Sequence, residues 1–301
     1  MGVRGQSFLP RMRCNVRSQL IVSSKAMLSR VACLFLNQPC PICDRPTPQT
    51  FCLDCDRQLH HSFQQTSSKE TLPLEDSASS NGHPSLSVVS LGPYRGALKR
   101  AILAMKYHNR PDAAYPLGTA LAQLWRTTAQ QTKEQQTKAQ QIKGQRIKEQ
   151  QNGRQTSGQP RFGASKRLVC VVPIPLHSER QQSRGYNQAE RISDAFCRAS
   201  GLLHVPQGLQ RTRSTQPQHS LTSDERQQNL NQVFQIGKPL QQMLDKPSRT
   251  RVEPAVLLID DIYTTGATAK SAVATLKRAG ISTVEIAVLA RAGLQQDRPA
   301  G

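Results

Sequence analysis

The sequence predicts an α/β fold, a parallel sheet flanked by helices, with a small four-cysteine module ahead of it. Three observations predict this. An unbroken apolar run, Val256-Leu-Leu-Ile259, ends in two adjacent carboxylates, Asp260 and Asp261, and a hydroxyl- and glycine-rich turn follows at once. Strand-like apolar runs alternate with segments of helical periodicity, the pattern of a parallel sheet. Two C-x2-C pairs, Cys40/Cys43 and Cys52/Cys55, stand close together near the N-terminus.

The elements follow in chain order. Residues 1–36 form a basic extension with Arg4, Arg11, Arg13, Arg17, Lys25 and Arg30 and no acidic side chain. That composition is compatible with a transit peptide, although a start at Met27 is the simpler reading. Residues 37–64 read as a zinc-ribbon-like module. Cys40, Cys43, Cys52 and Cys55 supply the four thiolates of a closed tetrahedral zinc site. A stretch this short builds no core of its own, so metal coordination would supply its folding free energy. Disulfides and a redox C-x-x-C compete with this reading. No convincing secretory segment precedes the cysteines, and no thioredoxin-like pattern surrounds them. Cys14, Cys33, Cys170 and Cys197 stand apart and are read as structural.

Residues 65–85, rich in Ser, Thr and Pro, are expected to be a linker. A domain over 86–292 follows, with a short tail at 293–301. Tyr94 to Lys106 is a basic amphipathic segment with Leu98, Ile102 and Met105 on one face. A second helix is expected from about Pro116, with Leu117, Leu121, Leu124 and Trp125 as its apolar stripe. Residues 129–165 interrupt the domain with a Gln/Lys-rich pentapeptide repeat (QQTKE, QQTKA, QQIKG, QRIKE, QQNGR) almost free of apolar residues. Its period of five matches neither helix nor strand, so a disordered or frayed-helical insertion is expected.

Order returns at the strand Arg167 to Val172, followed by Pro173-Ile-Pro-Leu-His177 and a basic loop from Arg180 to Gln188. Ala189, Ile192, Phe196 and Ala199 then keep helical spacing, and Gly201 closes that helix. A second basic stretch, Arg211 to Gln218, precedes Thr222 and Glu225, whose spacing is that of a capping box. The last strand is Val284 to Leu289.

The chemistry gathers at the end of the Val256 strand. A loop entering a helix presents free backbone N–H groups and the positive end of the helix dipole, which suits a phosphate. Thr264, Thr265 and Thr268 add hydroxyl donors, and Gly266, followed by Ala267, lets the backbone approach an anion. Asp260 and Asp261 would repel that phosphate; hydroxyls or a hard cation such as magnesium suit them. A sugar phosphate satisfies both ends. The loop is neither a nucleotide P-loop, since no Gly-Lys pair is correctly placed, nor a dinucleotide fingerprint, since it carries one glycine.

This stretch resembles the phosphoribosyl pyrophosphate (PRPP) signature of type I phosphoribosyltransferases. The order of the four-cysteine module, Val-Pro-Ile-Pro-Leu before Arg-Gly-Tyr-Asn-Gln, the Arg211/Arg213/Gln218/Arg226/Asn229 stretch and the signature resembles the ComF family of competence-associated proteins. The resemblance spans roughly residues 34–127 and 167–292. It implies a type I phosphoribosyltransferase-like sheet. It further implies that Asp260 and Asp261 hold the ribose hydroxyls and Thr264 to Thr268 the 5-phosphate. Arg184 and Gly185 would then lie at the pyrophosphate, and Arg211, Arg213 and Arg226 on a mobile loop over it.

The implied activity is a magnesium-dependent phosphoribosyl transfer linked to DNA uptake. A rival reading is a single-stranded DNA-binding competence factor in which PRPP is an effector; a third is a PRPP sensor. A formal charge of +20 over 301 residues favours polyanionic partners of either kind. The expected partners are therefore PRPP, single-stranded DNA and the DNA-uptake machinery. No run of eighteen apolar residues occurs, so no membrane span is expected and the cytoplasm is the expected location.

Overall fold

The structure, a computed structural model, describes residues 38–73, 85–150, 168–212, 233–245 and 254–293. Its centre is a mostly parallel sheet in the order β3-β4-β10-β9-β5-β6. These strands are β3 (Ser68–Pro73), β4 (Ser85–Pro93), β5 (Leu168–Pro173), β6 (Leu203–His204), β9 (Pro254–Tyr263) and β10 (Thr283–Arg291). Only β3, at one edge, runs antiparallel to its neighbour. Two short antiparallel pairs lie outside the sheet: β1 (Gln38–Pro39) with β2 (Pro46–Thr47), and β7 (Leu209–Arg211) with β8 (Phe234–Ile236).

Alternation along β9 sorts its side chains between two cores. Val256 and Leu258 face one, with Ile286 and Val288 of β10 and Ala269, Ala272, Val273 and Leu276 of helix α7 (Ala267–Arg278). Leu257 and Ile259 face the other. There they meet Leu98, Ile102 and Met105 of α2 (Gly96–Tyr107), Leu117 and Leu121 of α3 (Ala114–Gln150), and Ile192 and Phe196 of α5 (Gln188–Ser200). Helix α1 (Leu53–Thr66) contributes Cys55 and Leu59 to that same core.

The chain winds from β9 through α7 to β10 on one side, and from β5 through α5 to β6 on the other. Opposite directions of winding put the two helices on opposite faces, because such crossovers are right-handed. The carboxyl ends of β9 and β5 therefore flank a topological switch point, where open α/β sheets form a crevice.

Two expectations need correction. Residues 68–73, read as part of a linker, are an edge strand paired with β4 along its whole length. Much of the supposed basic loop is helix α4 (Ser178–Arg184), capped by His177, whose side chain accepts from the Glu179 N–H. Of the two alternatives for the insertion, residues 129–150 take the helical one and continue α3, and 151–165 lie outside the described residues. Three further short or polar elements, β6, the β7–β8 pair and α6 (Lys238–Leu244), carry no periodicity by which to read them.

Candidate functional site

Strand β9 carries its apolar stretch to the sheet's carboxyl edge, and its last residues, Asp260 to Tyr263, turn into the loop before α7. Gly266 makes that turn with φ +78°, in the left-handed region. A Cβ there would meet the Tyr263 hydroxyl at 2.1 Å, so both conformation and space require glycine. Helix α7 has no acidic residue in its first turn, leaving its positive end uncompensated toward the loop.

Asp260, Thr264, Gly266, Ala267 and Thr268 line one small cavity of about 30 Å³. Thr264 and Thr268 are exposed where they line it, and Thr265, between them in the loop, is exposed as well. Asp261 takes the opposite direction on the strand. Its Oδ2 lies 2.9 Å from Lys106 Nζ at the end of α2, and the two side chains are only 13% and 16% exposed. The Asp261 backbone N–H donates to Asp260 Oδ1 at 2.8 Å.

The two carboxyls thus differ in environment. Removal from water, then the charge of Asp261, push the Asp260 pKa well above the usual carboxylate range; the hydrogen bond from the Asp261 N–H, then Lys106 and Arg211, pull against this. Burial, with the charge of Asp261 next, raises the Tyr94 hydroxyl pKa beside the pair.

The predicted pyrophosphate residues are spread over two elements. Arg184 ends α4, donates to Gln188 Oε1 at 3.1 Å, and places its guanidinium 5.3 Å from the centre of the Tyr107 ring. Gly185 closes α4 with φ +74°. The rest of that motif is buried and built into the fold. Tyr186 Oη donates to the Met105 carbonyl, Asn187 Nδ2 donates to the Ile174 carbonyl at 3.2 Å, and Asn187 Oδ1 caps α5.

Arg211 lies on β7, its guanidinium 5.6 Å from the Phe234 ring centre. Burial lowers its pKa, followed by the like charge of Arg180, and Asp260 opposes them. Its Nε is buried without a hydrogen-bond partner among the described residues. Arg211 also lines a second cavity of about 520 Å³ with His177, Gln181 and Asn187. Arg213, Gln218, Arg226 and Asn229 lie outside the described residues. Lys106, Tyr107 and Tyr263 are the site neighbours that the sequence reading did not select. Nothing in their local pattern separates them from a helix end and a strand end.

The four module cysteines form a separate cluster. Their Sγ atoms all lie within 4.8 Å of one another, and none is in a disulfide. Tetrahedral zinc with Zn–S bonds of about 2.3 Å spaces its sulfurs about 3.8 Å apart, so the residues fit such an ion. The Cys43 thiol is lowered to about 6, chiefly by a backbone hydrogen bond at Arg45. Burial raises Cys55 instead. The cluster is thus able to hold a metal ion such as zinc. No described helix is long and apolar enough to cross a membrane.

No protein-family model matches the chain. It is 31% identical over 122 residues to Competence protein F of Haemophilus influenzae, covering 40% of this chain and 50% of that protein. It is 30% identical over 121 residues to DNA utilization protein YhgH of Salmonella typhi, covering 40% and 48% respectively. YhgH of Escherichia coli K12 is 28% identical over a match of the same size. The chain therefore spans about half the length of the curated relatives it matches. This similarity to competence and DNA-utilization proteins bears out the resemblance to the ComF family drawn from the order of the motifs.

Proposed function

We propose that the chain binds PRPP at the end of β9 and transfers its phosphoribosyl group, in a process connected with DNA uptake. The observation that carries this reading is the shared cavity of Asp260 and the Thr264–Thr268 loop, with Asp261 beside them at the switch point of a parallel sheet. The small cavity has no room for a pentose. The 5-phosphate would rest across the exposed threonine hydroxyls and the start of α7, with the ribose hydroxyls over the strand end between Asp260 and Asp261.

Bond cleavage separates pyrophosphate from the anomeric carbon and leaves developing positive charge on the ring. The two aspartates would orient the ribose and favour that charge. The buried, unpartnered Nε of Arg211 supports a role for this arginine at the anionic end of the ligand. Arg184 and Gly185 would border the pyrophosphate, while Arg213 and Arg226 would belong to the segment that covers it. Magnesium bound with pyrophosphate would neutralise leaving-group charge, and the carboxylates' hard oxygen atoms suit such a site.

In this reading residues 37–64 are a structural zinc module and 86–292 the transferase-like domain. A thiolate site favours a reducing compartment, hence the cytoplasm. The connection with DNA comes from the relatives, Competence protein F and DNA utilization protein YhgH.

Titration with PRPP and Mg²⁺ by calorimetry tests the reading. Binding by the wild type is expected, weakened about tenfold or more in Asp260→Asn or Asp261→Asn as the hydrogen bonds of these side chains to the ribose hydroxyls are lost. No binding by the wild type refutes it. The rival, a single-stranded DNA-binding factor with PRPP as effector, draws on the +20 charge. Steeply salt-dependent DNA binding without pyrophosphate release for any acceptor tried would favour it.

A further inference from the structure

Three consecutive residues at the end of α2 touch both halves of the candidate site. Lys106 pairs with Asp261. Tyr107, though 68% exposed, lies under the Arg184 guanidinium. The carbonyl of Met105 accepts from Tyr186 Oη and, at 3.5 Å, from Gln188 Nε2. Tyr186 and Gln188 are buried, so the start of α5 is fastened to this helix end. None of these α2 residues belongs to the β9 signature or to the Arg184–Gln188 motif.

We propose that Lys106 and Tyr107 are positioning residues, Lys106 setting the carboxylate of Asp261 for the ribose and Tyr107 setting the guanidinium of Arg184 for the pyrophosphate. This rests on the PRPP reading above and adds a division of labour to it. Asp261 has a second carboxyl group beside it, so an opposing cation is needed to hold its carboxylate in one direction. A lysine ammonium at 2.9 Å, largely shielded from water, supplies the opposing charge and one fixed direction. Arginine stacked on an aromatic face keeps its N–H edge free to meet an anion. Because one helix end carries both contacts, the distance between the ribose and pyrophosphate halves is set by adjacent residues rather than by two independent loops.

The test uses the full chain with Mg²⁺ and three probes: PRPP, ribose 5-phosphate and pyrophosphate. Lys106→Met is expected to weaken ribose 5-phosphate about tenfold while pyrophosphate affinity changes less than about twofold, and Lys106→Arg restores the first. Tyr107→Ala is expected to show the reverse selectivity, and Tyr107→Phe, which keeps the ring, to bind as the wild type does. Lys106→Met combined with Asp261→Asn should be no worse than Asp261→Asn alone. Thermal melts identify any variant that does not fold, in which case Lys106→Gln replaces Lys106→Met. Equal weakening of both half-ligands, or no weakening of either, overturns the division of labour while the PRPP reading stands. Failure of the wild type to bind any of the three overturns the PRPP reading and this inference with it.

Discussion

Asp260 and Asp261 are neighbours of identical chemistry with opposite consequences for stability. Asp260 has its pKa raised, first by burial and then by Asp261. In the folded protein it therefore holds a proton at pH values where the unfolded chain has lost it. The stability it contributes is present below the unfolded value of about 4 and is lost as pH rises through the raised folded value. Asp260→Asn removes this liability and keeps an oxygen to accept from the Asp261 N–H. The variant should melt above the wild type, by a margin that grows between pH 5 and pH 8. A margin that shrinks over that range would mean that the carboxylate is stabilised in the fold. Asp261→Asn should melt below the wild type, since it strands Lys106 without its partner. Of this asymmetry the sequence shows only the pair itself. Alternation along a strand sends adjacent side chains to opposite faces, but Lys106 arrives from 155 positions away in the chain, and no local pattern reveals it.

At the scale of elements, legibility follows apolar content. β9, α7, β5, α5 and β10 have strong periodicity and appear close to where it places them. The edge strand β3, Ser-Lys-Glu-Thr-Leu-Pro, is polar and forms because β4 offers it a free backbone edge, a tertiary reason that local propensity does not contain. Helix α4 was hidden because its seven residues bury no side chain, and its caps alone define it. The α3–α5 seam carries a requirement equally hidden in sequence. A Cβ on Gly118 would lie 2.6 Å from the Ile192 carbonyl oxygen and 2.8 Å from the Ala195 Cβ. Gly118→Ala gains about 1 kcal/mol in helix propensity, yet the clash is with backbone and a methyl held in a packed seam, where overpacking costs about 1–3 kcal/mol. The clash should win, so denaturant melts are expected to show a net loss of roughly 1 kcal/mol. A gain would show that the two helices separate freely.

The whole molecule joins its two modules through one core. Cys40, Ile42, Phe51, Cys52, Cys55 and Leu59 pack in the same cluster as Leu98, Ile102 and Leu117 of the larger domain. Arg110, beyond α2, donates to the Pro39 carbonyl next to the first cysteine, and is itself held by Asp112 at 2.8 Å. A zinc module hanging on a tether would unfold by itself when stripped of metal and leave the domain's melting unchanged. Here the module's loss exposes the side of α2 that packs against it, and Lys106 stands in the last turn of α2. Chelation of the metal-loaded protein is therefore expected to lower the temperature of a single cooperative calorimetric transition, by several degrees, rather than to split it. Restoring zinc should restore it. A low-temperature transition for the module with the main transition unmoved would mean that the shared core transmits little. On the proposed reading, the same chelation should also weaken affinity for PRPP, through the loosened helix end, although no cysteine lines the cavity beside Asp260. Unchanged ligand affinity in the metal-free protein would confine zinc to the stability of the fold.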